Sequence, residues 1–315
     1  MEKTTAFGLP FFYRIALPGG IATVLSLPLL GRVLPQIGIS PDALTAGAVA
    51  FGLLVGFLLD LLDDDIYKIF EGVRWWPRWL RDWRTSRWQS HVDRLIAQCD
   101  AAKDDAVGLG AIWSELTDFP QTSRGRPQAT RPTRLGNIIA GYESYPHHRY
   151  GMNGTVYWPR LWTTLARDVR ETIDRDWASA DALVHLTAAF VLVGVAYIVT
   201  GVISLLAAAS GGSVIFESND VRLTAVYAGF ILVVALYVPY RLSLGAQRRN
   251  GATFRSTFDL YRGNLITISL PQADEWKRWD ELGDRLLYAP SPSVESAAGG
   301  RTSGEASSSS PREKP

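Results

Sequence analysis

Four stretches of the chain contain no Asp, Glu, Lys or Arg and are mostly apolar: Ile15–Gly31, Ala43–Leu59, Ala182–Phe216 and Leu223–Tyr240. A helix needs about 20 residues, and at least about 17, to cross the hydrocarbon core of a bilayer. The third stretch exceeds that length, staying nearly all apolar to Ala209, and the fourth meets it, with Tyr227, Tyr237 and Tyr240 as interface anchors. The first two are short, since 17 residues rise only about 25 Å. Phe11, Phe12 and Tyr13 extend the first, with Arg14 snorkelling, and Leu61 and Leu62 extend the second. Pro18, Gly19, Gly20 and Pro28 predict a kinked first span, a re-entrant segment being the rival. A cleaved signal peptide fits poorly, because Glu2 sits in the would-be basic region and no A-x-A site follows.

Between the second and third apolar stretches the pattern turns amphipathic. Residues 63–181 read as a helical domain, opening on Asp63, Asp64 and Asp65 and a Trp/Arg-rich run through Trp88. On a helix starting at Pro77, the 3.6-residue period puts Trp76, Trp79 and Trp83 on one side and Arg74, Arg78 and Arg81 on the other. That division fits a helix in the headgroup layer of an anionic membrane; packing of the tryptophans inside the domain is the plain alternative. Val92, Leu95, Ile96 and Cys99 continue at helical spacing, residues 111–117 form a short helix, and 161–180 lead into the third span. The Pro/Ser/Thr/Arg/Gly-rich segment 120–132 reads as an exposed loop, and strand signal is confined to 155–158. Residues 242–288 carry two amphipathic helices, and 289–315 lack the apolar residues to bury a core and are expected to be disordered. The predicted fold is an all-α integral membrane protein. A first transmembrane hairpin (1–62, spans about 15–31 and 43–62) and a second (182–241, spans about 182–209 and 223–241) flank a cytoplasmic helical domain.

Orientation follows from the basic residues. Lys68, Arg74, Arg78 and Arg81 at one end of the central segment, Arg160, Arg167, Arg170 and Arg175 at the other, and five arginines after the last span outweigh the lone Arg32 and Arg222 of the two short connections. Both termini and residues 63–181 are therefore expected inside, with lone Cys99 on the reducing side. A net charge of +1 gives no global field toward nucleic acid. Arg–Trp interleaving is a nucleic-acid pattern elsewhere, but tethering to the bilayer disfavours it here, and no nucleic-acid partner is expected.

No P-loop, dinucleotide fingerprint, H-E-x-x-H or G-x-S-x-G is present, so no catalytic residue, metal site or cofactor is assigned. His147 and His148 are adjacent, cannot share one helix face as ligands, and read as loop residues; His91 reads as a surface histidine. The run Asp60, Asp63, Asp64, Asp65 supplies oxygen ligands in principle, but pairing with nearby arginines or simple solvation explains it better. Topology alone puts Arg14, Asp60, His185 and Arg241 at similar depth near the inner membrane edge. Such a layer either pins the hairpins together or opens an ion or proton path. Gly52 and Gly56 form a small-xxx-small pair, and Thr187, Gly194 and Gly201 share a face of the third span. Packing within the four-helix unit accounts for both, a homo-oligomer being the alternative.

The runs Pro132-Thr133-Arg134-Leu135-Gly136-Asn137, Arg149-Tyr150-Gly151, Trp158-Pro159-Arg160-Leu161 and Phe258-Asp259-Leu260-Tyr261-Arg262, in this order, resemble those of uncharacterised bacterial multi-span membrane proteins. The resemblance implies a bacterial cytoplasmic (inner) membrane location and brings no activity, cofactor or catalytic residue. The expected function is a non-enzymatic scaffold, sensor or system component, with the bilayer and its anionic headgroups as partners. An oligomeric channel or transporter is the alternative, and a membrane-associated enzyme a weaker third.

Overall fold

In a computed structural model the structure describes residues 11–36, 41–102, 106–122, 125–210, 218–265, 277, 279 and 280. Among them the chain is all helical, apart from one isolated bridge between Gln121 and Pro127. The expected disorder of 289–315 and most of the second C-terminal amphipathic helix lie outside the described residues.

The first apolar stretch is α1 (Leu17–Gln36), entered through a π-helical turn (Phe12–Ala16). Pro18 is the reason for that turn. It lacks an N–H, so the Arg14 carbonyl has no donor four residues on, and the backbone instead closes from the Leu17 N–H to Phe12 O. The second stretch is α2 (Pro41–Leu61), which bends by 68° at Leu62 into α3 (Asp63–Phe70). Three helical segments, Phe12–Gly31, Arg167–Ala207 and Val226–Leu265, are long and apolar enough to cross a membrane, and the bent pair makes up to four. α4 (Arg78–Ala101), α5 (Ala106–Leu116), α6 (Arg134–Tyr150) and α7 (Gly154–Thr164) follow, then the long α8 (Arg167–Ala209) and α9 (Ser218–Tyr261).

α8 packs along α9, and α1 packs on both α2 and α8. Small residues set the α1–α2 distance. A Cβ on Gly19 would fall 2.0 Å from Gly52 O, and one on Gly56 2.2 Å from Ile15 O. Gly52 and Gly56 are thus spent on contacts within the chain, and Gly194 meets Leu232 of α9. The opposite faces expose a continuous apolar surface, including Leu53, Phe57, Ile198, Val202, Leu206 and Phe230, as lipid contact requires.

One core joins Ala22, Val55, Leu59, Val184, Val193 and Ile231 to Leu135 and Ile139 of α6, so the polar helices are continuous with the apolar bundle. A second gathers Tyr157, Leu161, Ile173, Phe254 and Phe258 with Trp279, and a third packs Val92 and Leu95 against Leu116, Phe119 and Ala129. Two local expectations are corrected. Residues 155–158 are helical because the Asn153 side chain caps α7, accepting from the N–H groups of Thr155 and Val156. Segment 120–132 is not wholly exposed: Pro127, Ala129 and Pro132 are buried, and the Asn137 side-chain oxygen accepts from Thr130 N and Arg131 N.

Candidate functional site

At the polar end of the apolar bundle, polar groups from the π-helical turn, α3, α8 and α9 meet. Asp181 of α8 takes an ion pair from Arg14 and a 2.6 Å bond from the Tyr67 hydroxyl of α3. The Gln247 side chain of α9 donates to that hydroxyl oxygen at 2.8 Å. One turn along α8, His185 is 0% exposed, its Nε2 2.8 Å from Asp63 Oδ1 and its Nδ1 3.4 Å from the Arg14 carbonyl that Pro18 leaves free. Each helix contributes because its register puts a polar residue where it leaves the apolar core.

This arrangement contains two of the four residues placed together by sequence. Arg14 and His185 are in it. Among the described residues Asp60 forms no ion pair, and Arg241 lies over the Tyr237 ring, 5.4 Å from its centroid. The bend at Leu62 is the reason: it carries Asp63, rather than Asp60, toward α8. Asp181 falls just before the uncharged stretch, in its polar lead-in, where composition alone does not set it apart. The remaining acids of the run are shared out, Asp64 to Lys68 and Asp65 to Arg74. Among the described residues no group of three or more His, Cys, Asp or Glu is arranged to hold a metal ion.

The Trp/Arg helix begins one residue later than its pattern suggested, with Pro77 at the N-cap position of α4. Trp76 turns inward and its indole N–H donates to Ile69 O. Trp75 takes its place outside, at a positive φ of 63°. Trp75, Trp79 and Trp83, at intervals of four, are 82%, 72% and 52% exposed. Arg74 is tied to Asp65, and Arg81 lies 3.7 Å from Asp82; Arg78 has no ion pair among the described residues.

The quoted motifs converge rather than scatter. Thr133 caps α6, accepting from Gly136 N at 3.0 Å. Asn137, wholly buried, also donates to Arg131 O and Thr133 O, both at 2.8 Å. A Cβ on Gly136 would meet Glu71 O at 2.4 Å. Tyr145 and Tyr150 both donate to Asp259, and the Arg262 guanidinium stacks 4.1 Å over Tyr150. Tyr145, Tyr150 and Asp259 thus join α6 to α9, and Tyr145 and Asp259 also line a recess of about 420 Å³ with Ser144 and His148. His147 and His148 sit in the last turn of α6, not in a loop. Burial, and then the neighbouring His147, push the His148 imidazole below its ordinary range.

Beside this joint lie two carboxylates with shifted acidity. Burial, and then the field of Glu143, push the Glu71 carboxyl up to about 7 against the opposing pull of Arg131. Burial likewise raises Glu143. No protein-family model, curated protein or solved structure matches the chain.

Proposed function

We propose that this is a non-enzymatic membrane protein, a scaffold or sensor, in which a helical domain is latched to a four-span bundle. In this reading residues 63–181 and both termini face the cytoplasm of a bacterial inner membrane. The first hairpin packs on the second, and exposed Trp75, Trp79 and Trp83 rest in anionic headgroups.

One observation carries the reading: the polar residues at the bundle's end are bonded to one another, and among the described residues no Asp, Glu, Lys, Arg or His is buried deeper in the bundle. Deeper in the bundle the buried side chains are mainly apolar, among them Ala22, Ala189, Val193, Ala228 and Ile231, with Ser26 also buried. The buried hydroxyls of Thr187 and Ser204 bond carbonyls of their own helix, at 2.8 and 2.9 Å. The Tyr197 hydroxyl donates to Leu25 O at 3.0 Å. A conduit needs groups left over to exchange partners with an ion or water, and this interior supports a seal.

Reconstituted vesicles test it. Native protein should pass no more proton, sodium or potassium flux than protein-free vesicles. A flux that Asp181→Asn or His185→Gln changes, with the fold intact, would replace the scaffold reading with the channel. Cysteine labelling at positions 38, 125, 213 and 300 tests the orientation, and labelling of position 125 from outside would invert it.

A further inference from the structure

α4 presents a second surface, beside its tryptophan face and apart from the latch. Arg84, Arg87, His91 and Arg94 follow one another at intervals of three and four, so they line a single face. Arg134, the first residue of α6, reaches the same place, and with Trp88 these side chains enclose an open recess of about 260 Å³. Like charges at that spacing destabilise an isolated helix. A cation in the first turn of α6 also opposes the helix dipole. The local chemistry therefore works against this concentration of arginines.

Their charge is largely unspent. Among the described residues Arg84, Arg87 and Arg94 have no carboxylate within ion-pair distance. Glu115 is the acid at the wall, and it is occupied: Arg134 donates to it at 2.8 Å and His91 Nε2 lies 3.2 Å away. Asp118 behind it is held by Arg248 as well as Arg134. Arg134 keeps a buried Nε–H with no hydrogen-bond partner. The guanidiniums are also held in place, Arg134 against Trp88 and Arg87 against Trp83, each 5.9 Å from the ring centroid. The recess also lies near the end of the apolar bundle, since Leu135, next to Arg134, packs in one core with Val55, Leu59 and Val184.

We propose that this recess is a binding site for a phosphoryl group, held by Arg84, Arg87 and Arg94 with the Arg134 guanidinium at its wall. Several fixed guanidinium forks around one small volume suit a dianionic, many-oxygen group better than a single carboxylate. The group is either the headgroup phosphate of an anionic lipid or that of a soluble phosphate ester. The site is separate from the latch and stands whether or not the protein conducts.

Calorimetric titration of the full chain in neutral detergent with inorganic pyrophosphate tests it. Arg87→Gln/Arg94→Gln is the variant, both residues lying on the surface of α4 with no ion pair to lose. Circular dichroism and elution volume should match the native protein. Pyrophosphate should bind the native chain at least about tenfold more tightly than the variant, and more weakly as salt rises. Repeating the titration in nanodiscs separates the sources. Suppression in phosphatidylglycerol discs but not in phosphatidylcholine discs assigns the recess to a lipid headgroup, and equal binding in both assigns it to a soluble ester. No binding, or equal binding by native and variant chains, overturns the proposal.

Discussion

Asp181→Leu should be among the damaging single changes near the bundle's end. The substitution removes the acceptor of both the Arg14 ion pair and the Tyr67 hydroxyl. Removing one partner of a buried pair costs about 3–5 kcal/mol, because the survivor keeps its desolvation penalty. Here the survivor, Arg14, is 39% exposed, which lowers the cost to about 2–3 kcal/mol. Arg14→Met leaves the more deeply buried Asp181 with Tyr67 alone, and should cost about 3–4 kcal/mol. The double variant Arg14→Met/Asp181→Leu buries no unpaired charge and should lie within about 1 kcal/mol of native. The coupling between the two sites should thus exceed about 2 kcal/mol. Urea unfolding in one fixed detergent, followed by circular dichroism, measures all four corners of the cycle. Single changes within about 0.5 kcal/mol of native, or a double that sums them, would refute the latch.

Three further outcomes follow. Glu71 is more basic folded, at about 7, than the ordinary carboxylate value of 4.5, so the folded state holds its proton where the unfolded state does not. Its contribution is full below about 4.5 and is lost as pH rises toward 7; because Glu71 is only partly buried, the fall should be about 1–2 kcal/mol, and Glu71→Gln should flatten the pH–stability curve over that window. Asn137→Ala should cost about 1–3 kcal/mol in the same unfolding assay, since Thr130 N, Arg131 N and Arg131 O lose their side-chain partner, whereas Thr133 O keeps the backbone N–H of residue 137. Gly56→Ala should lower stability by about 1–3 kcal/mol by forcing α2 off the Ile15 carbonyl; a neutral result in thermal unfolding would mean that α1 and α2 are not in close contact.

The all-helical class and the apolar segments were legible because they depend on one-dimensional facts: runs without charge, and turns at 3.6 residues. The glycines were legible as a spacing, but their use between α1 and α2 needed three dimensions. The polar cluster was half legible. Depth along a helix can be counted from its charged ends, which puts Arg14 and His185 near one level. Which acid faces them depends on the bend at Leu62 and on the rotation of α8, and neither is written in local composition. The same holds for Trp75 against Trp76: an ideal helix extended back from Pro77 exposes Trp76, whereas the chain leaves helical geometry there. Arg134 and Asn137 were visible as motif residues, yet their work depends on Glu115, Asp118 and the segment before α6. The recess on α4 had a visible sign, basic residues at positions 84, 87, 91 and 94, which the tryptophan pattern next to it overshadowed.

The proline in α1 and the histidine in α8 form one device, and this too can be tested. Pro18 deprives the Arg14 carbonyl of a donor four residues on, and His185 Nδ1 lies at a long 3.4 Å from it. The other ring nitrogen faces Asp63 Oδ1 at 2.8 Å. Both neighbours accept hydrogen bonds, so a neutral imidazole satisfies one of them and the doubly protonated ring satisfies both. The histidine is thus suited to a site that a proline creates, and the two should be energetically coupled. Pro18→Ala restores an N–H to the helix and gives the Arg14 carbonyl a partner of its own. In that background His185→Gln should cost about 0.5–1 kcal/mol less than in the native chain, the net worth of one weak hydrogen bond. If the two substitutions add without coupling, the carbonyl is not what His185 serves, and its place in the bundle rests on Asp63 alone.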